Sequence, residues 1–456
     1  MKNIFLKSFF AIVCVALLAG CGKDSLILVP PSAIGDTGFY DTAEQVEGAV
    51  IAIYDGLQAI PLREFAATEM RSDNTRTKSR EGDWAQFEDF AVLPTNLVVG
   101  LYWTVNYNVI FRANRVLENL DVVTGPLRDQ FEGEARFARA LAHFNLVRAY
   151  GAVPIIDKVI IQTDTEYYDR DNEVDVLAFI ETDLTAAAGL LPSRSGMADG
   201  RATSGAANGL LAKVKLTRGD YSGAETILSN LINDPEYALV DDYGDVFYSE
   251  MNSEIIFAIP YLDDDANESQ DYSFEMTAGG VRSGLNYPTD DFISVVDPDD
   301  TERSAILFSP NNAAEVGKFL TQSADARLCG NDWIVLRLAD VYLMHAEAIM
   351  AGQQSTPSAA AIASYDAIRE RVGLPSLADQ GASELTRDML LHERRMELAF
   401  ENHRFYDLVR FGVAEDVLSA FAAAEGHSFS PTDLLLPIPQ GEINVSSGLL
   451  LQNPGY

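Results

Sequence analysis

The stretch Leu385-Thr-Arg-Asp-Met-Leu-Leu-His-Glu-Arg-Arg-Met-Glu-Leu-Ala-Phe-Glu-Asn-His-Arg-Phe-Tyr-Asp-Leu-Val-Arg-Phe-Gly412 governs the reading of this chain. Leu385, Met389, His392, Met396 and Phe400 recur three or four residues apart, which predicts a helix with one largely apolar face. Asn402 reads as a helix stop, and a second short helix then carries Phe405, Leu408, Val409 and Phe411. Glu393 and Glu397 stand one turn apart and interleave with Arg394 and Arg395, while Arg404 precedes Asp407 by three residues. Charges this dense among aromatics have to be paired wherever they are buried, so they read as a structural ion-pair network and not as a site.

Outward from this stretch the chain alternates helices and turns. Trp333–Met350 and Ser358–Val372 form one predicted helix pair, with Ala346, Ala348 and Gly352 toward its turn. Gly205–Thr217 and Ala224–Ile232 form another around the turn Gly219-Asp220-Tyr221, with small residues where two helices would cross. Earlier helices are predicted over Thr42–Leu57, Tyr102–Leu120, Leu127–Tyr150 and Val174–Leu191, the last stopped by Pro192. His143, on an amphipathic helix, reads as a hydrogen-bonded packing residue. About four or five such pairs make a mostly α fold, a tetratricopeptide-repeat-like helical scaffold. The pattern breaks twice. Pro61–Gly100 is long and polar and reads as a loop, and loops of that length in a compact domain are usually functional. Residues 234–330 read as a loop-rich inserted subdomain containing one short buried strand at Glu254–Pro260.

The 33 Lys and Arg against 68 Asp and Glu leave a formal charge of −35 without a basic stripe, which argues against nucleic acid and anionic headgroups as partners. At the N-terminus, Lys2 and Lys7 precede an apolar run from Ser8 to Gly20, the pattern of a secretory signal. Its end, Leu18-Ala19-Gly20-Cys21, resembles the bacterial lipobox, in which the cysteine is acylated. Cys14 would be removed and Cys21 lipidated, leaving Cys329 as a lone packed thiol without a disulfide partner. These boundaries divide the chain into a signal peptide (1–20), a lipidated tether (21–40), an N-terminal helical region (41–233) with the long loop 61–100, the insert (234–330) and a C-terminal helical region (331–456).

The quoted stretch resembles the C-terminal signature of the SusD/RagB family of outer-membrane nutrient-binding lipoproteins. The resemblance rests on Glu393, Arg394, Arg395, Glu397, Leu398, Phe400, Glu401, Arg404, Phe405, Asp407, Leu408, Arg410 and Gly412, and on the tail segments Leu436–Ile443 and Gln452–Tyr456. Trp103, Tyr107, Ile110 and Asn114 match the family's aromatic-x-x-x-Tyr-x-x-Ile-x-x-x-Asn run, and Arg136, Arg139, Tyr150, Gly151 and Pro154 match a second pattern. The resemblance implies a surface-exposed lipoprotein of the outer membrane that captures an oligosaccharide. It would pass the ligand to a TonB-dependent, SusC-like transporter and touch the membrane through its lipid only. It also implies that the loop between the first two helices and the insert contribute to the glycan face.

Sugar binding needs an aromatic ring for the apolar CH face and forked polar groups for vicinal hydroxyls, both suited to loops on a rigid scaffold. The ligand-binding candidates on these grounds are Asp73, Asn74, Arg76 and Trp84 in the long loop, and Tyr272, Phe274 and Tyr287 in the insert. For the aromatics the competing reading is packing of a loop onto the scaffold. Catalytic and nucleotide-binding templates are absent from the sequence, and the five histidines never pair at zinc-ligand spacing. Asp263, Asp265 and Asn267 open like a calcium loop, but Glu268 replaces the required glycine and Phe274 the bidentate acid. The sequence therefore calls for no enzyme chemistry, metal or cofactor. A binder of peptide or another non-sugar nutrient on the same scaffold is the alternative, and a glycosidase lacks motif support.

Overall fold

The computed structural model describes residues 39–78, 82–270, 272–277, 286–310, 312–325 and 327–456. The signal peptide, Cys21 and nearly all of the tether lie outside the described residues. Helix α1 (Ala43–Gln58) starts at a reciprocal cap in which Thr42 accepts the Gln45 N–H while the Gln45 side chain accepts the Thr42 N–H. A short α2 (Pro61–Thr68) begins on proline, whose missing N–H costs nothing there. The Asn96 side chain accepts from Val98 and Val99 to cap α3 (Leu97–Leu117), and α4 (Pro126–Tyr150) follows. Asn172, Thr203 and Asp220 cap α5 (Glu173–Leu190), α6 (Ser204–Thr217) and α7 (Tyr221–Ile232) in the same way. The C-terminal helices are α8 (Leu338–Met350), α9 (Ala359–Arg371), α10 (Arg387–Glu397), α11 (Arg404–Arg410), α12 (Ala414–Glu425) and α13 (Gln440–Val445). From α3 to α7 each helix packs on the next, α7 then packs on α8 across the interposed segment, and α8 packs on α9. This is the stacking of a mostly α, tetratricopeptide-like scaffold.

Several expectations change. The glycines of α6 do not serve a helix crossing. A Cβ at Gly205 would meet the Tyr237 hydroxyl at 2.2 Å, and one at Gly209 would meet Leu336 Cδ2 at 2.2 Å. Pro61–Gly100 is not one loop: it holds α2, the strand β1 (Thr75–Thr77), a helical turn at Ala85–Glu88 and the start of α3. The Trp333–Met350 helix begins late, because Trp333–Arg337 is a strand. It pairs antiparallel with β2 (Ile255–Ile259), where both faces are buried and β-branched residues pack well. Strand β3 (Asn286–Pro288) pairs with β1, and β4 (Trp333–Arg337) with β2, so two strands of the insert are hydrogen-bonded into the scaffold.

The largest change lies in the stretch that opened the reading. Helix α10 ends at Glu397, and the chain then turns through Phe400 and Asn402 at φ 66° and 65°. His392 is exposed, Met389 only half-buried, and the buried face consists of Leu390, Leu391, Met396 and the charges themselves. Glu397 lies 2.6 Å from Arg337, 3.3 Å from Arg303 and against Arg371. Arg337 also holds Glu254 and Glu401 at 2.8 Å each, and Lys318 reaches Glu401 at 2.7 Å. Glu393 bridges Arg303 and Arg369. Arg394 forks onto Asp407 at 2.9 Å and also meets Asp340. Burial alone would raise the Glu397 carboxyl, but Arg371, Arg337 and Arg303 outweigh it and hold the group well below the carboxylate range. The family-like charges are thus the core of the molecule, paired on every side.

Candidate functional site

The two regions expected to face a ligand meet at the β1–β3 ladder, where Arg76 stands opposite Tyr287. Their meeting is set from below. Arg404 forks onto the Asp73 carboxylate at 2.8 Å through both Nε and Nη2. Arg395 donates to Asn74 Oδ1 at 2.8 Å and to the Asp73 carbonyl at 3.0 Å. From the insert, the Thr289 hydroxyl donates to the same carbonyl and its amide donates to Asn74 O. The signature arginines therefore fasten the start of β1, and β1 fastens the insert.

This arrangement corrects four of the seven candidate residues. Asp73 and Asn74 are buried and engaged by Arg395 and Arg404, so they cannot fork onto a ligand. Burial would raise the Asp73 carboxyl, yet Arg404 and Arg395 hold it below its usual value. Tyr272 is fully buried, donates to the Phe400 carbonyl and lies 4.3 Å from the Trp333 ring. Phe274 is buried under the Arg327 guanidinium, 4.0 Å from its ring centre. Tyr272 packs the insert onto the scaffold, and Phe274 packs within the insert.

Three candidates keep accessible surface. The Arg76 guanidinium sits 4.8 Å from the Tyr287 ring centre and 3.7 Å from Glu425, and both members of the pair are half-buried. Trp84 is half-buried, with one face stacked on Phe65 at 5.1 Å and 13°. Phe65 in turn meets Tyr272 edge-on, so Trp84 ends an aromatic ladder that runs inward to Trp333. Residues 79–81 and 278–285, which flank Trp84, Arg76 and Tyr287 in the chain, lie outside the described residues.

A second surface was not anticipated as a site. Trp103, Tyr107 and Phe111 follow one another every four residues on α3 and line an open groove of about 360 Å³ with Tyr167, Tyr168, Val445 and Leu450. The groove floor is held by family-pattern residues: Tyr107 donates to Pro154 O, and Asn114 donates to the carbonyls of Ile156 and Lys158. Arg139 forks onto Asp183 and reaches Asn114 Oδ1. Because the hydroxyls of Tyr107, Tyr167 and Tyr168 already donate within the fold, the groove offers ring faces. The four-residue aromatic stripe was visible in sequence, but it reads as core until the partner segment is placed.

Residues 299–456 match the family model described as the SusD family, and residues 30–216 match one described as starch-binding and associating with the outer membrane. The chain belongs to the SusD/RagB family. The SusD-like protein P2 of Formosa agariphila is 25% identical to it, over 99% of this chain and 100% of that one. Among solved structures, a laminarin-binding SusD-like protein is 26% identical with a TM-score of 0.76, covering 91% of this chain and 100% of the other. The surface glycan-binding protein A from Bacteroides thetaiotaomicron, solved with laminarihexaose, shares the fold at 23% identity and a TM-score of 0.76. It covers 90% of this chain and 99% of its own. Within this SusD-like fold, His143 and Cys329 are packing residues. His143 Nδ1 contacts Arg139 O at 2.9 Å, and Cys329 is buried between Gln270, Phe319 and Asn331.

Proposed function

We propose that this SusD/RagB chain is a glycan-capturing lipoprotein of the outer-membrane surface. It would be anchored through Cys21 and pass oligosaccharide to a TonB-dependent, SusC-like transporter without altering the sugar. The observation that carries the reading is the match to a laminarin-binding protein along nine-tenths of the chain at 26% identity. The ligand face we assign is the β1–β3 junction. There the Tyr287 ring supplies stacking surface beside the Arg76 guanidinium as a hydrogen-bond donor, and half-buried Trp84, stacked on Phe65, adds aromatic surface in the segment after β1. The ring-lined groove on α3 is a second platform of the same chemistry.

Titration calorimetry with laminarihexaose, starch-derived oligosaccharides and peptides of similar length tests this reading, with product analysis after long incubation. Saturable binding of an oligosaccharide that is recovered intact supports it. Tyr287→Ala should weaken that binding several-fold, on the scale of a lost aromatic contact. Binding of peptides alone would favour the non-sugar alternative, and turnover of the oligosaccharide would overturn the absence of chemistry. Co-purification with the transporter from solubilised outer membranes tests the hand-over separately.

A further inference from the structure

A pocket of about 490 Å³ opens between α4, α6, α11 and the segment at Pro431–Leu435, away from both aromatic surfaces in its lining. Its walls are apolar, formed by Phe144, Val147, Leu177, Val409, Leu434 and Leu435. Three cations also reach it, and two of them are held in short ion pairs: Lys213 by Asp340 at 2.7 Å, and Arg410 by Glu347 and Asp407 at 2.6 and 2.8 Å. Asp407 is itself taken by Arg394 and Arg410, which leaves exposed Glu173 as the one loose acid on the lining.

Arg148 is different. Its guanidinium is clamped between the rings of Phe144 and Tyr406, 4.2 Å from each centre. Nη2 donates to Asn145 Oδ1 at 2.8 Å and Nε to Phe144 O at 3.4 Å, while Nη1 has no acceptor among the described residues. Its ion-pair partner, Glu64 Oε1, lies 3.5 Å away, longer than a charge-assisted hydrogen bond. Tyr406 is buried, its hydroxyl included, so it meets the pocket as the ring that holds the Arg148 guanidinium. An arginine held between two rings, with Nη1 free of acceptors among the described residues and a single long ion pair, offers under apolar walls the donor that a carboxylate on an apolar group requires.

We infer that this pocket binds the carboxylate end of an apolar ligand, with Arg148 as the anion-binding residue and the Phe144–Leu177–Leu435 wall holding the apolar part. The same chemistry is presented by the C-terminus of a peptide ending in a large apolar residue and by a free aliphatic acid. Calorimetry of the full chain with the tripeptide Ala-Ala-Phe, its C-terminal amide and hexanoate reads both sources. The tripeptide acid, hexanoate or both should bind, and amidation should weaken the tripeptide about tenfold or more, as loss of a charged hydrogen bond implies. Preference for the tripeptide assigns the pocket to a peptide end, and preference for hexanoate assigns it to a free acid. Arg148→Gln should abolish binding. Val409→Glu, at an exposed rim position, should weaken it about fivefold or more by placing an acid at the mouth, with the melting temperature unchanged. Equal affinity for acid and amide, no heat with either acid at millimolar concentration, or undiminished binding by Val409→Glu overturns the inference.

Discussion

Glu69 is a carboxyl without solvent and with only half its acceptors used: Oε1 takes the Asn402 amide at 2.8 Å, and Oε2 has no partner. Burial pushes its pKa from 4.5 up to about 8, against the Asn402 hydrogen bond and Lys318. The folded chain therefore keeps a proton that the unfolded chain releases between pH 4.5 and about 8. Its contribution to stability is complete below pH 4.5 and is lost as pH rises toward about 8. Glu69→Gln should melt like wild type at pH 5 and several degrees above it at pH 8, by calorimetry at both values. Trp84 poses the other residue-level question. In sequence it looks like a free platform, but its stack on Phe65 makes it part packing, part surface. Trp84→Ala should cost about 0.5–1.5 kcal/mol beyond lost area, seen in urea unfolding, besides weakening glycan binding.

Helix α10 shows how an element can be read correctly in charge and only in part in its face. Its charges were expected to pair, and they do. Leu385, Met396 and Phe400 of the expected face are buried, but His392 is exposed, and Glu393, Arg394, Arg395 and Glu397 are buried where periodicity counts only apolar residues. Nothing local distinguishes a buried arginine from an exposed one when its partners lie far off in sequence, as Glu254 and Arg303 do. The same non-locality hid β1 and β4, short runs whose identity depends on partners some 200 and 80 residues away. Helices with side-chain caps and local spacing, such as α1 and α5, were legible to within a residue or two. Of the candidate site, the regions were legible and the residues were not, since Asp73 and Trp84 look equally loop-like until Arg404 and Phe65 arrive. The network's energetics can be measured. Arg394→Ala leaves Asp340 with Lys213 alone and Asp407 with Arg410 alone in the core and should cost about 3 kcal/mol. Removing Arg128 from its half-buried surface pair with Glu132, which Arg136 also holds, should cost under about 1 kcal/mol, and equal losses in urea unfolding would show that the core pairs are not special.

At the scale of the whole molecule, the core network changes what the net charge means. Arg139, Arg303, Arg337, Arg369, Arg394, Arg395, Arg404, Lys213 and Lys318 are buried in ion pairs, and Arg371 and Arg410 are half-buried in theirs, out of 33 cations in the chain. Each removes a positive charge from the surface, so the exterior is left short of the cations that adhesion to anionic headgroups needs. None of the described helices is long and apolar enough to cross a membrane. Membrane attachment, on the proposed function, then rests on acylation of Cys21 alone, which lies outside the described residues. Lipid anchoring is apolar and insensitive to ionic strength, whereas electrostatic adhesion is screened within about 3 Å at 1 M salt. Wild-type protein should therefore stay with outer-membrane fractions through a high-salt wash and leave only with detergent. Cys21→Ser should appear in the soluble fraction at low salt already, with its thermal melt unchanged because the folded body is untouched. Retention of the serine variant on membranes after the high-salt wash would place the anchor elsewhere, and salt release of the wild type would mean that the acidic surface has a cationic partner.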